Sequence, residues 1–234
     1  MCAYGRAVLS ALVVPRGCLR DNAWICGEYL TSRKDDILDA LTLHMKLSLI
    51  ALAVSLLVAI PLTLIGMRRT WLRSAVLGVA GVVYTIPSLA LFALLAPVTG
   101  LTLTTAVIGL TTYTLLVLVR NVLAGLDGVP KDVLESARGM GMSRTRVLTQ
   151  VELPLALPTI LAGVRVATVS NVALATVGIV VSNGGLGQVI FQGLNANFYR
   201  APIFTGTFLC VVLAAVADVL LLGVERAVTP WARR

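Results

Sequence analysis

The chain has 234 residues, of which 58% are hydrophobic and only 13% charged, against about 25% charged in an ordinary soluble domain. A mean hydropathy of +0.93 excludes a disordered chain, a collagen and almost any soluble enzyme, and four cysteines are too few for a small disulfide scaffold. A single histidine excludes a multi-histidine metal site, and the formal charge of +8 fits basic cytoplasmic loops better than nucleic-acid binding.

About 20 apolar residues cross a bilayer as a helix, and five such stretches follow one another. The first runs from Leu47 to Ile65, reaching back toward Leu38, with His44 read as an interfacial residue. The second runs from Ala75 to about Pro97, the third from about Leu101 to Val119, the fourth from Leu155 to Val181 and the fifth from Ile203 to Val224. Before them, Ala7 to Val14 is apolar but too short to span, and Pro15-Arg16-Gly17 is a poor cleavage site, so an irregular tail is expected. Cys18 and Cys26 have the choice of pairing in an oxidising compartment or remaining free thiols.

The basic residues set the orientation. The loops after the first and third spans and the C-terminus carry eleven positive residues on one side. The other side has a neutral turn, a Gly/Asn-rich loop with only Arg200, and a tail whose five basic and five acidic residues balance. The N-terminus is therefore expected outside and the C-terminus inside. The expected domains are an extracytoplasmic tail over 1–37, a transmembrane region over 38–226 containing a cytoplasmic loop over 120–158, and a cytoplasmic tail over 227–234.

That loop is too polar for lipid and patterned. Pro130 is placed to open a helix with Asp132 in its first turn, and Val133, Leu134 and Ala137 share a face. Gly139 and Gly141 break it, Ser143 is placed to cap a second short helix from Arg144 to Glu152, and Pro154 and Pro158 bracket the entry to the fourth span. A solvated amphipathic connector would look similar.

Its wording is more specific than that. Glu135-Ser136-Ala137, three residues, Gly141, nine residues and Val151-Glu152-Leu153-Pro154 closely resemble the EAA motif of ABC importer permeases, with Ser136 and Val151 replacing an alanine and an isoleucine. Further segments resemble the branch that imports glycine betaine, carnitine and choline: Tyr84-Thr85-Ile86-Pro87-Ser88-Leu89-Ala90-Leu91, Arg120-Asn121, Gly139-Met140-Gly141-Met142, the run from Glu152 to Pro158 with Ala162-Gly163-Val164-Arg165, and Gly184-Gly185-Leu186-Gly187. The resemblance covers about residues 40 to 230.

It implies an all-α integral membrane protein of the cell membrane, a five-helix, MetI-like permease core with a cytoplasmic coupling helix between spans three and four. Glu135, Ser136, Ala137, Arg138, Gly139, Gly141, Arg144, Leu153 and Pro154 would then meet a separate ATPase. No Walker A pattern is present, so the chain itself is expected to be no enzyme and to need no cofactor. The implied partners are a second permease subunit, identical or related, two ABC ATPase subunits, an extracytoplasmic binding protein and the bilayer, with no nucleic acid. The rival substrates are methionine, another amino acid or a phosphonate; the rival class is a stand-alone channel or secondary transporter.

Three groups keep two readings each. Tyr84, Thr85, Pro87 and Ser88 form a pathway wall or a packing kink. Asn183, Gly184 and Gly185 belong to a stretch over 183–187 expected not to be regular helix, either lining an exit vestibule or forming a surface turn. Arg165 and Asp218 are intramembrane charges, functional or simply paired.

Overall fold

The structure is a computed structural model that describes residues 17–67, 69–182 and 184–232. The expectations for 7–14, for Asn183 and for the last two arginines lie outside those residues. The described chain is helical: α1 (Gly27–Ser32), α2 (Lys34–Gly66), α3 (Thr70–Thr85), α4 (Ser88–Thr99), α5 (Leu103–Asp127), α6 (Lys131–Gly139), α7 (Arg144–Val147), α8 (Leu153–Ala175), α9 (Ile179–Ser182), α10 (Leu186–Asn195) and α11 (Arg200–Val228).

Among the described residues four helical stretches are long and apolar enough to cross a membrane: Lys34–Gly66, Leu103–Asp127, Arg144–Ala175 and Arg200–Val228. The second expected span, Ala75 to about Pro97, is a broken pair, α3 and α4, meeting at 96°. Pro87 explains the break. It has no N–H to donate, and its ring drives the preceding residue out of the helical region; Ile86 accordingly sits at φ −67°, ψ 125°. A kink at Pro87 was the expectation, and the break is a sharp one. The buried Tyr113 hydroxyl of α5 donates to the carbonyl of Ile86, satisfying an acceptor that the break removes from the helical ladder. Tyr84 adds an edge-on ring contact to Tyr113, centroids 5.6 Å apart.

α5 is the hub, with half of its most apolar window buried, whereas the corresponding window of α11 has no fully buried residue. One core cluster joins Leu47 and Ala51 of α2, Phe92 of α4, Ala106 and Leu110 of α5, Ala175 of α8 and Val181 of α9. A second joins Ala59, Leu118, Val119, Leu123 and Ala167. Several hydroxyls within the spans turn back to carbonyls of their own helix, as Ser55 does to Ala51 (2.7 Å) and Thr63 to Ala59 (2.8 Å), which keeps them satisfied without water.

The first spanning helix, α2, begins at Lys34, more than three turns before Leu47. Its 33 residues extend about 50 Å, well beyond an apolar thickness of about 30 Å. In front of it, Cys18 and Cys26 form a disulfide. The loop they close docks on the turn between α10 and α11. Asn22 brackets that turn, donating to the Phe198 carbonyl (3.3 Å) and accepting from the Arg200 N–H (2.8 Å). The Arg200 guanidinium lies 5.3 Å over the Trp24 ring, and Tyr29 meets Tyr199 edge-on at 6.1 Å. This end of the bundle is called the disulfide end below; the opposite one, carrying α6, is the loop end.

Candidate coupling loop and pathway elements

The geometry of the loop explains its spacing. α6 starts after Pro130, whose carbonyl accepts from Val133 and Leu134. It ends in paired backbone bonds: Gly141 N–H to the Arg138 carbonyl at 2.9 Å and Met142 N–H to the Ala137 carbonyl at 3.3 Å. This is a Schellman termination. It needs a left-handed residue at 141, where φ is +79°, and glycine takes that conformation without the Cβ penalty. The fixed interval between Ala137 and Gly141 is thus the span of one helix stop.

Ala137 is buried and Leu134 half-buried, while Glu135, Ser136 and Gly139 are exposed on the face turned away from the bundle. A Cβ placed on Gly139 or Gly141 would meet nothing within 4 Å. Among the described residues no hydrogen bond or ion pair reaches the Glu135 carboxylate. Arg138 and Arg144, expected with Glu135 to meet an ATPase, are exposed and line a cavity between α6 and the membrane helices.

Ser143 caps α7, its Oγ accepting from the Arg146 N–H at 3.4 Å. The separate second helix expected before the fourth span is not separate. α7 passes through a wider π turn over Leu148–Glu152 directly into α8, with Leu153 N–H bonding five residues back to Leu148. Pro154 has no N–H for the carbonyl of Gln150, and loosening the preceding turn lets the helix run on. Leu153 is 40% exposed, and Pro154 lies within the first two residues of α8.

Of the tentative pathway residues, Tyr84, Thr85 and Pro87 are exposed at the α3–α4 break and Ser88 is half-buried; the Thr85 hydroxyl bonds back to Val82 at 2.7 Å. Gly184 and Gly185 sit elsewhere, against Leu43 and His44 of α2. Gly185 is buried at φ +78°. The stretch over 183–187 was expected to be irregular throughout, but a helix, α10, already begins at Leu186.

His44 is the reason the chain can turn there. It is fully buried rather than interfacial. Its Nδ1 accepts from the Leu186 N–H (3.3 Å), and its Nε2 lies 3.1 Å from the Val172 carbonyl. These partners assign the proton to Nε2. One ring therefore ties α2, α8 and α10 together. Asn171, next to Val172, donates to the Ser48 carbonyl at 2.7 Å. Leu186, Val189, Ile190 and Gly193 have helical spacing, a signal from which α10 is readable.

Arg165 and Asp218 do pair. The guanidinium grips both carboxylate oxygens at 2.9 and 3.0 Å and reaches a third partner, Glu225, at 3.1 Å. Glu225 lies two turns after Asp218 on the same face of α11. Sequence reading passed over it because it sits among the polar residues that end the helix. The triad fastens α11, the most peripheral span, to α8. A second bidentate pair, Arg73 with Asp127, joins the start of α3 to the end of α5. Among the described residues no cluster of three His, Cys, Asp or Glu is placed to hold a metal.

A known family covers most of this architecture: residues 51–230 match the binding-protein-dependent transport system inner membrane component family. The chain belongs to this family. It is thus an integral, multi-pass permease component of the cell membrane, within a multi-subunit transport system. The chain is 36% identical over 203 residues to the choline transport system permease protein OpuBB of Bacillus subtilis, covering 87% of this chain and 93% of that protein. It is 38% identical over 187 residues to the glycine betaine/carnitine/choline permease OpuCB of the same organism, covering 80% and 86%. The carnitine transport permease OpuCD of Listeria monocytogenes is 36% identical, over 87% of this chain and 91% of that protein. Among solved structures, the permease fold of the MetNI methionine ABC transporter in its inward-facing conformation aligns with a TM-score of 0.71 at 21% identity, covering 88% of this chain and all of that one. An amino acid ABC transporter chain aligns at 0.72 and 19%, covering 85% and 96%.

Proposed function

We propose that this chain forms half of the translocation pathway of an ABC importer for a quaternary ammonium osmoprotectant such as choline, carnitine or glycine betaine, and that α6 is its coupling helix. The observation that carries the coupling role is the outward face of α6. Glu135, Ser136, Gly139 and Gly141 are exposed, Glu135 has no partner among the described residues, and the two glycines have open space where a side chain would stand. A rigid, amphipathic helix with small residues on its free face suits docking into a cleft of a separate ATPase. The substrate class rests on the relatives, whose names give choline, carnitine and glycine betaine.

Two independent features support the orientation with the loop end inside. Eleven basic residues belong to segments on that side. The disulfide lies at the opposite end, and disulfides persist in oxidising compartments. In this arrangement a second permease subunit completes the pathway, two ATPase subunits drive the paired α6 helices, and a binding protein delivers solute at the disulfide end. Closure of the ATPases moves α6, and the continuous helix from Arg144 to Ala175 carries that motion through the membrane as a rigid lever.

The test is purification from the native membrane with mass spectrometry of what accompanies the chain, followed by uptake of labelled choline, carnitine and glycine betaine in vesicles with and without ATP. Co-purification of an ABC ATPase and ATP-dependent uptake of one of the three solutes is the expected result. Solute flux by the isolated chain without ATP would overturn it.

A further inference from the structure

We propose that the cavity behind α6 is a binding site for the phosphodiester headgroup of an anionic phospholipid. It encloses about 700 Å³ between the loop-end termini of α2 and α5, the start of α3, α6 and the α7 segment. Its chemistry is two-sided. Eight of the fifteen lining residues are apolar, and six charged residues with Thr145 form the polar rim. Four cations line that rim, Arg73, Lys131, Arg138 and Arg144, against two acids, Asp127 and Glu152.

The pairing within the rim decides its sign. Asp127 is consumed by its two-point contact with Arg73. Among the described residues, Lys131, Arg138 and Arg144 have no ion pair or hydrogen-bonded partner for their charges. Three free cations therefore face one Glu152 across an amphipathic cavity. A phosphate oxygen accepts charge-assisted bonds from such groups, and arginine does so through two parallel N–H donors. A small soluble anion makes no use of the apolar wall. A glycerophospholipid does, because its glycerol and first methylenes lie against leucine and valine while its phosphate meets the rim.

The position matches this occupant. Lys131, Leu134 and Arg138 fall on one side of α6, the side turned to the bundle, while Asp132, Glu135 and Ser136 fall on the other. One helix would thus present its outer face to the ATPase and its inner face to a lipid. Placing that lipid in the cytoplasmic leaflet rests on the orientation proposed above; the binding itself does not.

The full chain in mild detergent is the material for the test, with radiolabelled dioleoylphosphatidylglycerol, dioleoylphosphatidylcholine and inorganic phosphate as separate probes. Phosphatidylglycerol is expected to be retained in preference to phosphatidylcholine. Lys131→Gln and Arg138→Gln should each weaken retention, and the triple variant with Arg144→Gln should reduce it at least about ten-fold. Arg146→Gln removes a charge from the same loop away from the cavity and should change nothing. Because all three positions are exposed, the folded state is checked by monodisperse elution, and the single variants carry the result if the triple aggregates. Equal retention of the two lipids, undiminished retention in the variants, or phosphate binding at these residues without lipid would each overturn the proposal. So would loss of ATPase association in the variants with lipid retention intact, since the rim would then serve the partner. None of these readings involves transport, so they stand apart from failure of the importer assignment.

Discussion

At the disulfide end, side chains answer nearly every demand the backbone makes. His44 serves three helices, Asn22 brackets both sides of the α10–α11 turn, and the glycines over 184–187 let helices approach to contact. At the loop end the same kinds of residue are left open. Gly139 and Gly141 touch nothing, Glu135 has no partner, and Lys131, Arg138 and Arg144 carry unpaired charge among the described residues. Glycine serves close packing at 184, 185 and 187 and leaves open space at 139 and 141, and only the neighbours tell the two apart. The open face of α6 and the rim behind it are where the proposed ATPase and lipid would sit.

Substitutions sharpen this contrast. At the loop end the largest expected effect is functional. Glu135→Arg or Gly139→Val should lower ATP-driven uptake by about ten- to a hundred-fold, the range of a typical coupling free energy, while membrane insertion and helical content measured by circular dichroism stay unchanged. Normal uptake in both variants would break the comparison.

At the disulfide end the expected effects are on stability. A side chain at 187 would collide with the Thr176 carbonyl, so Gly187→Val should cost about 1–3 kcal/mol or more through overpacking. His44→Leu should cost about 1–3 kcal/mol by orphaning the Leu186 N–H and removing the ring donor from the Val172 carbonyl of α8. Thermal unfolding in detergent checks both. Equal melting temperatures for His44→Leu and the parent would show that the ring is not the tie described here.

Replacing Cys18 and Cys26 together by serine should act locally. Cross-linking a loop of this length contributes about 2–3 kcal/mol by loop-closure entropy, felt by the docked cap and not by the spans. Faster proteolysis before Lys34 with an unaltered melting temperature is the expected pattern; a large drop in melting temperature would contradict it. Tyr113→Phe is the mildest change. It leaves the Ile86 carbonyl without its donor and should cost about 1 kcal/mol, again read by thermal unfolding.

Much of this protein was legible in one dimension because its strongest signals are local. Runs of apolar residues betray spans, since a bilayer demands a fixed length of unbroken apolar helix. The helix stop at Gly141 is a matter of five consecutive residues, and Pro87 announces that its helix cannot continue. Arg165 and Asp218 stood out because charge is rare inside a span.

What sequence reading could not supply depends on which distant residues meet. The 96° bend between α3 and α4 is set by what Phe92 and Tyr113 pack against, whereas Pro87 dictates only that a break occurs. His44 looks interfacial in sequence because its partners, Val172 and Leu186, lie more than a hundred residues away. The choice at Cys18 and Cys26 between thiols and a disulfide, Glu225 as third member of the Arg165 cluster, and the turning of Arg138 and Arg144 toward a cavity were all decided in three dimensions. The physical reason is common to them: period, propensity and charge act along the chain, whereas a hydrogen bond, an ion pair or a disulfide requires that its partners be brought within a few ångströms by the rest of the fold.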